Sequence, residues 1–277
     1  MSVSFDWESD TVNASSNQLP LSINMSTPEE LAKSIFSQRA AFYTTSAAHK
    51  DPQVLARLVA LANPRADWQV LDIATGTGHT AFAVAPYVAA VIATDLTPAM
   101  LAEAEKLKTE LGASNVVFRI ADAHDLPFDA ATFDLVTSRR APHHFSDIAR
   151  ALGEMKRVLK PGGRLVIDDR SAPEDDFGAD VINELDWYHD QSHVREYRPS
   201  EWRQMLAQAG FQIEAVEPYT QNRTLTSLTR DVDAERVKKI HALLESLTES
   251  QRELFGYNVI NGEPHVNHWY VLLSALA

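Results

Sequence analysis

The chain reads as an α/β protein built on a mostly parallel sheet, and three observations predict it. From Arg65 to Asp169, apolar strand-like runs alternate with helical stretches, a pattern that calls for parallel strands joined by right-handed crossovers. The first run, Val70-Leu-Asp-Ile73, passes straight into the small-residue turn Ala74-Thr-Gly-Thr-Gly78, which opens a helix. The second run, Ala89-Ala-Val-Ile-Ala-Thr-Asp95, ends on a carboxylate, the usual partner of ribose hydroxyls in a βαβ unit.

Ahead of this region, Ser2 to Ser26 are rich in Ser, Asn, Asp and Thr, a composition expected of a mobile tail. Thr27-Pro-Glu-Glu30 is a helix start, with Thr27 as N-cap, Pro28 at the first position and Glu30 at the third. Two or three helices follow up to Ala62, with apolar residues at helical spacing. In the turn after the first strand, small residues let a ligand approach the backbone, and a helix N-terminus offers free N–H groups. Asp72 narrows the ligand. A carboxylate near the end of an apolar strand is costly without a partner, and a ligand carrying an ammonium group supplies one.

The third strand, Val116–Ile120, leads into Ala121-Asp-Ala-His-Asp-Leu-Pro-Phe128, and the fourth, Thr132–Ser138, into Arg139-Arg-Ala-Pro-His-His-Phe145. A helix from Ile148 to Leu159, the turn Lys160-Pro-Gly-Gly163 and a fifth strand, Arg164–Asp168, complete the alternation. Ser171–Gly178 breaks the pattern. A helix over Ala179 to His189 follows, and then a capped helix from Pro199 that stops on Gly210. Phe211–Glu217 alternates as a half-exposed strand, Val232–Thr248 is helical and charged, and Val266–Leu273 is the last strand.

The motifs VLDIATGTG, VIATDLTPAML, ADAHDLPF, FDLVTSRRAPHHF and LKPGGRLVIDD occur in this order. Together they resemble the class I S-adenosylmethionine (SAM)-dependent methyltransferases, specifically the ubiquinone/menaquinone-biosynthesis type and its small-molecule relatives. The resemblance covers roughly Phe36 to Gln212. It implies an α/β Rossmann-like sheet of seven strands, mostly parallel with the last antiparallel, carrying a helical N-terminal cap and lid insertions. The expected organisation is a tail at 1–26 and a single domain at 27–277. That domain divides into a cap at 27–66, a cofactor core at 67–170, a lid at 171–199 and the rest of the sheet with a helical insertion at 200–277.

The resemblance implies SAM as methyl donor and S-adenosylhomocysteine as product. It assigns Asp72, Ala74, Gly76 and Gly78 to the cofactor loop and Asp95 to the ribose. Leu96 becomes an apolar wall for adenine, and Asp122 and Ala123 meet the adenine edge. Arg139 can hold the methionine carboxylate or an acid on the acceptor. Tyr43, within Phe42–His49, belongs to a segment laid over the cofactor, and core packing explains it as well. Ser46 and His49 are weaker candidates in the same segment. A dinucleotide fingerprint also fits Gly76-x-Gly78-x-x-Ala81 with Asp95 about 20 residues on. Asp72 argues against it, because a pyrophosphate sits badly beside that carboxylate.

His144 and His193 are the candidate catalytic residues, and His143 or His144 could serve as general base, since histidine titrates near neutrality. A satisfied structural histidine explains His143 or His144 equally well. Asp190, Ser192, His193 and Arg195 match a relatives' segment of the form Asp-x-Ser-His-x-Arg. Trp187, Tyr188, His189, Arg195 and Tyr197 are expected to contact the acceptor, with Phe177 adding aromatic surface. His189 and His193 are spaced to share one helix face, yet a polar lid explains them without metal, and no metal is expected. His265 and His268 fall on opposite faces of the last strand.

The bulk numbers exclude several classes. With 277 residues and a formal net charge of −13, the chain is not built to grip nucleic-acid phosphates. It holds no cysteine, which removes disulfides, thiolate zinc sites and a cysteine nucleophile. The longest apolar run, Ala81 to Ala93, is interrupted by Pro86 and Tyr87 and falls short of the ~20 residues that span a bilayer. Met1 to Asp10 show no basic region and no apolar core of signal type, so no signal segment is expected. The expectation is a cytoplasmic enzyme, monomer or homodimer, that methylates a small molecule without contacting nucleic acid or membrane. The competing class is a protein that binds SAM or a related nucleoside without turnover.

Overall fold

The computed structural model describes residues 27–46 and 49–277. The tail expected over 1–26 lies outside the described residues, as do Ala47 and Ala48 of the Phe42–His49 segment. Helix α1 (Pro28–Thr45) begins as its sequence dictates. The Thr27 side chain accepts from the Glu30 N–H, and the Glu30 carboxylate accepts from the Thr27 N–H. Helix α2 (Pro52–Ala62) is capped by Asp51 and stops at Asn63, whose φ is 43°.

The alternating core follows as β1 (Gln69–Ile73), α3 (His79–Val84), β2 (Ala90–Asp95), α4 (Pro98–Leu111), β3 (Val116–Ile120), β4 (Phe133–Arg139), α5 (Ile148–Val158) and β5 (Leu159–Ser171). Beyond it lie α6 (Asp176–His189), α7 (Pro199–Gln208), β6 (Gln212–Thr224), α8 (Leu225–Thr229), α9 (Ala234–Ser246), α10 (Glu249–Leu254), β7 (Asn258–Ile260) and β8 (Glu263–Leu276).

The strands form one sheet in the order β3-β2-β1-β4-β5-β8-β6, with short β7 paired to β8. Strands β1 to β5 are parallel, and β8 runs antiparallel to both β5 and β6. The fold is therefore the expected Rossmann-like, mostly parallel sheet with an antiparallel final strand, and short β7 makes an eighth strand where seven were expected. The order reverses between β1 and β4, which opens a crevice at their carboxyl ends.

Alternation along each strand loads both faces. Leu71 and Ile73 of β1 join Leu152 and Met155 of α5 and Trp202 of α7 on one face. Val70 points the other way, to Leu58 of α2 and Val84 of α3. A third apolar cluster ties α6 to α8, α9 and Phe255 over Val266 of β8.

Two strands differ from the sequence reading. The turn Lys160–Gly163 lies within β5 as an irregularity, where Phe133 pairs Leu159 but Leu135 pairs Arg164. Strand β6 was expected to end at Glu217, before Pro218, but continues to Thr224. The proline is tolerated because β6 is the edge of the sheet, where a missing N–H breaks no ladder. β5 ends at Ser171, opposite Trp269, and β6 and β8 then run on together from Gln221–His268 to Thr224–His265.

Leu152 is fully buried between α5 and the sheet. Leu152→Ala should lower the unfolding free energy by about 2–5 kcal/mol, read from denaturant midpoints at constant slope.

Candidate functional site

Two cavities adjoin at the carboxyl ends of β1 and β4. The first lies beneath α1, and Tyr43, Asp72, Ala74, Gly76, Asp95, Leu96, Asp122, Ala123 and Arg139 all line it. The residues expected to hold the cofactor are thus brought together, apart from Gly78. That glycine has φ +90°, and a Cβ there would meet the Phe82 ring at 2.8 Å. Its role is to shape the turn. Gly76 has φ +56°, but a Cβ on it would meet nothing within 4 Å, so the space before the loop is open. Ala74 is also left-handed, at φ 54°, a conformation that costs an L residue about 1–2 kcal/mol.

Asp72 is buried and sits in register with Thr137 across the β1–β4 pair. Its carboxylate accepts from the Thr137 hydroxyl at 2.6 Å and the Thr75 hydroxyl at 2.5 Å. The sequence reading sought its partner in a ligand, but two threonines already serve it. Burial outweighs those hydrogen bonds and pushes its pKa up to about 6. Asp95 accepts the Gly76 N–H at 2.8 Å on one oxygen and the Thr97 N–H at 2.8 Å on the other. One Asp122 oxygen accepts both the backbone N–H and the ring Nδ1 of His124.

Arg139 leaves the end of β4 into this cavity. Its Nε donates to Thr80 Oγ1 at 2.9 Å and its Nη2 to the His49 carbonyl at 2.7 Å. Its Nη1 is buried with no partner among the described residues. An orphaned charged donor costs more than a made hydrogen bond contributes.

The second cavity is larger, about 950 Å³, and contains His143, His144, His189 and His193. Burial lowers the pKa of all four, to about 4 for His189 and His193. They are neutral near pH 7. His143 donates from Nδ1 to Asp169 at 2.6 Å, and His144 from Nδ1 to the Ser192 carbonyl at 2.9 Å. His193 uses Nε2 toward Asn183 Oδ1 at 3.0 Å, leaving Nδ1 buried without a partner among the described residues. His189 ends α6, whereas His193 lies in the turn beyond Asp190. The two therefore do not share a helix face. Among the described residues no three His, Cys, Asp or Glu side chains group as for a metal ion.

The expected acceptor contacts are corrected for four residues. Trp187, Tyr188, Arg195 and Tyr197 line neither cavity. Trp187 is 45% exposed on the outer side of α6. Tyr188 packs against the third apolar cluster, with its hydroxyl on Glu184. Arg195 reaches outward to Glu201 at 2.6 Å, and Tyr197 sits edge-on to Trp202. Phe177 likewise packs on Phe255. Tyr188, Tyr197 and Phe177 anchor the insertion. What reaches inward is the backbone, since the N–H groups of Val194 and Arg195 donate to the His143 carbonyl.

Residues 64–210 match the family described as "Methyltransferase domain". The uncharacterized methyltransferase YcgJ of Bacillus subtilis (strain 168) is 35% identical over 232 residues, 83% of this chain and 92% of its own length. The chain belongs to the SAM-dependent methyltransferase family. The crystal structure of YcgJ superposes with a TM-score of 0.76, covering 80% of the methyltransferase described here and 97% of YcgJ, at 34% identity. Demethylmenaquinone methyltransferase from Thermus thermophilus is 44% identical over 113 residues, which are 40% of this chain and 51% of that enzyme. No helix among the described residues of this methyltransferase is long and apolar enough to cross a membrane.

Sequence reasoning missed Phe36, Arg39, Arg170 and Arg223, which also line the cavities. Phe36 shares the helical spacing of Ala32 and Tyr43 on α1, a signal present in the sequence. Arg223 was hidden behind Pro218.

Asp72 yields a stability test. Its folded-state pKa lies above the ordinary 3.8, so the charged form is the costly one. That cost is absent below pH 4 and complete above pH 6, where it reaches about 3 kcal/mol. Threonine hydroxyls can donate or accept, so asparagine fits the site. Asp72→Asn should therefore raise the melting temperature at pH 8 and leave it unchanged at pH 4. Scanning calorimetry at the two pH values checks this.

Proposed function

We propose that this methyltransferase binds SAM in the first cavity and passes its methyl group to a small-molecule acceptor in the second. The observation that carries the reading is the shared wall, since Phe36, Tyr43, His49, Arg140 and His144 line both cavities. A group handed from one to the other crosses at these five residues.

The chemistry of the first cavity fits SAM. The unpaired Arg139 Nη1 suits the carboxylate of the methionine part. Asp72 gives its ammonium group a counter-charge. Each Asp95 oxygen uses one lone pair on the loop, leaving others for ribose hydroxyls. Leu96, Met100 and Phe145 supply apolar surface for a purine. Bound there, SAM supplies a methyl carbon already activated by a positively charged sulfur.

The protein's share is alignment, exclusion of water and removal of a proton. Alignment contributes several kcal/mol of the barrier. Helix α1 closes the site from above, with the Tyr43 and His49 rings 4.5 Å apart. The acceptor's nucleophilic atom forms its bond to the methyl carbon as the carbon–sulfur bond breaks, and S-adenosylhomocysteine leaves. We assign the acceptor's proton to His144. Its Nδ1–H is engaged by the Ser192 carbonyl, so Nε2 carries the lone pair. Burial keeps the ring unprotonated at neutral pH, ready to accept. His193 lines only the second cavity and is assigned to acceptor contact.

His144→Gln should cut the turnover number about 10²–10⁴-fold on an acceptor found by screening with radiolabelled SAM. S-adenosylhomocysteine affinity should stay within about twofold, and the wild-type rate should hold flat from pH 8 down past the ordinary histidine value before falling. An unchanged rate in the variant would remove His144 from the reaction.

SAM affinity should be constant above pH 7 and fall as pH drops through about 6, where Asp72 takes up a proton. In Asp72→Asn the affinity should be lower at pH 8 and lose that pH step. Calorimetry across the range separates this outcome from a pH-independent affinity, which would exclude the Asp72–ammonium contact. Asp95 holds an N–H on each oxygen, so Asp95→Asn must set an amide NH₂ against one of them. Its S-adenosylhomocysteine binding should weaken by about 1.5–3 kcal/mol, again read by calorimetry.

A further inference from the structure

The protein as a whole carries a formal net charge of −13, yet five arginines line the second cavity. Three of them have carboxylate partners. Arg140 Nε lies 3.3 Å from Asp168, Arg39 Nη1 lies 3.6 Å from Asp190, and Arg170 is paired with both Asp186 and Glu196. Arg230 is exposed to solvent. Arg223 is different. It is half-buried, and among the described residues no side-chain hydrogen bond or ion pair reaches its guanidinium.

Arg223 stands on the part of β6 that continues past β5, and Gln221 to Thr224 of this extension all line the cavity. The surroundings worsen its position. Burial and the guanidiniums of Arg170 and Arg140 act against its charge, with Tyr270 and Asp186 acting the other way. A partly desolvated cation without a partner is costly, and a planar guanidinium fork matches the two oxygens of a carboxylate or phosphate. The cavity volume of about 950 Å³ is at the upper end of the range for small-molecule sites.

We propose that the methyl acceptor is an anionic small molecule whose carboxylate or phosphate is bound by Arg223, with its methylated end at His144. The inference rests on the methyl-transfer reading. It assigns two residues that line one cavity, His144 and Arg223, to two ends of one molecule.

The test titrates benzoate, phenyl phosphate and neutral benzamide into protein saturated with S-adenosylhomocysteine, followed by calorimetry. Wild type should bind at least one anion about tenfold or more tighter than benzamide, and the stronger anion distinguishes carboxylate from phosphate. Arg223→Gln should bring that anion to within about twofold of benzamide, with the melting temperature unchanged, because no native partner is lost. Arg223→Lys keeps the charge without the fork and should retain part of the preference. Lys238→Gln, a surface charge paired with Glu235 on α9, should retain all of it.

Benzamide binding as tightly as both anions, no measurable anion binding, or a preference that survives Arg223→Gln would each overturn the proposal. Should neither Arg223 variant fold, the wild-type comparison alone decides. Failure of the methyl-transfer reading is distinct, since it would show as no binding of S-adenosylhomocysteine in the first step.

Discussion

Two consecutive arginines at the end of β4 hold both cavities together. Arg139 and Arg140 are both deeply buried, and like charges side by side in a protein interior are unfavourable. The chain separates them. Arg139 turns under α1 to Thr80 and the His49 carbonyl. Arg140, with φ at 54°, turns elsewhere and places its guanidinium 3.9 Å from the centre of the Tyr270 ring. There it meets Asp168 and the Tyr219 hydroxyl, while Tyr219 itself donates to Asp168 at 2.6 Å. An aromatic face and a carboxylate together offset the burial of such a cation. Segments as distant as the α1–α2 connection, α3, β5, β6 and β8 thus converge on one dipeptide.

The second cavity rests on a buried network of its own. Arg170 on β5 meets Asp186 on α6 and Glu196 in the segment that follows. His268 of β8 closes on Asp186 at 3.4 Å. One guanidinium cannot satisfy two full carboxylates in so dry a place. Arg170 holds Asp186 well below the ordinary carboxylate range, and burial beside Asp186 drives Glu196 well above it. The network fixes α6 against the sheet, and α6 in turn presents His189 to the cavity.

What the sequence made legible was local. The cofactor loop, the acids closing β1 and β2, Asp122 and Arg139 are set by strand ends, and a strand end can be read from a few residues. The acceptor side was read less well because its side chains are placed by tertiary packing. The buried face of α6 runs through Ile182, Leu185 and Asp186. Helical spacing from these residues puts His189 inside and Trp187 outside, a signal that aromatic content alone obscured. Arg223 depended on β6 outlasting a proline, which only its place at the sheet edge permits.

Pro218 has a consequence for how molecules of this protein meet one another. A sheet edge presents a row of backbone donors and acceptors to any extended chain that passes, including the same strand of another molecule. β6 is thirteen residues long, long enough to serve as a template for such growth. Pro218 removes a donor near its middle, and the adjoining Glu217 is exposed with a negative charge. A second copy laid along this edge would meet an unanswered carbonyl halfway along, beside a carboxylate already held by Arg57 at 2.7 Å. The residue that concealed the length of the strand from the reader of the sequence also keeps the sheet from being extended by its neighbours in a crowded solution.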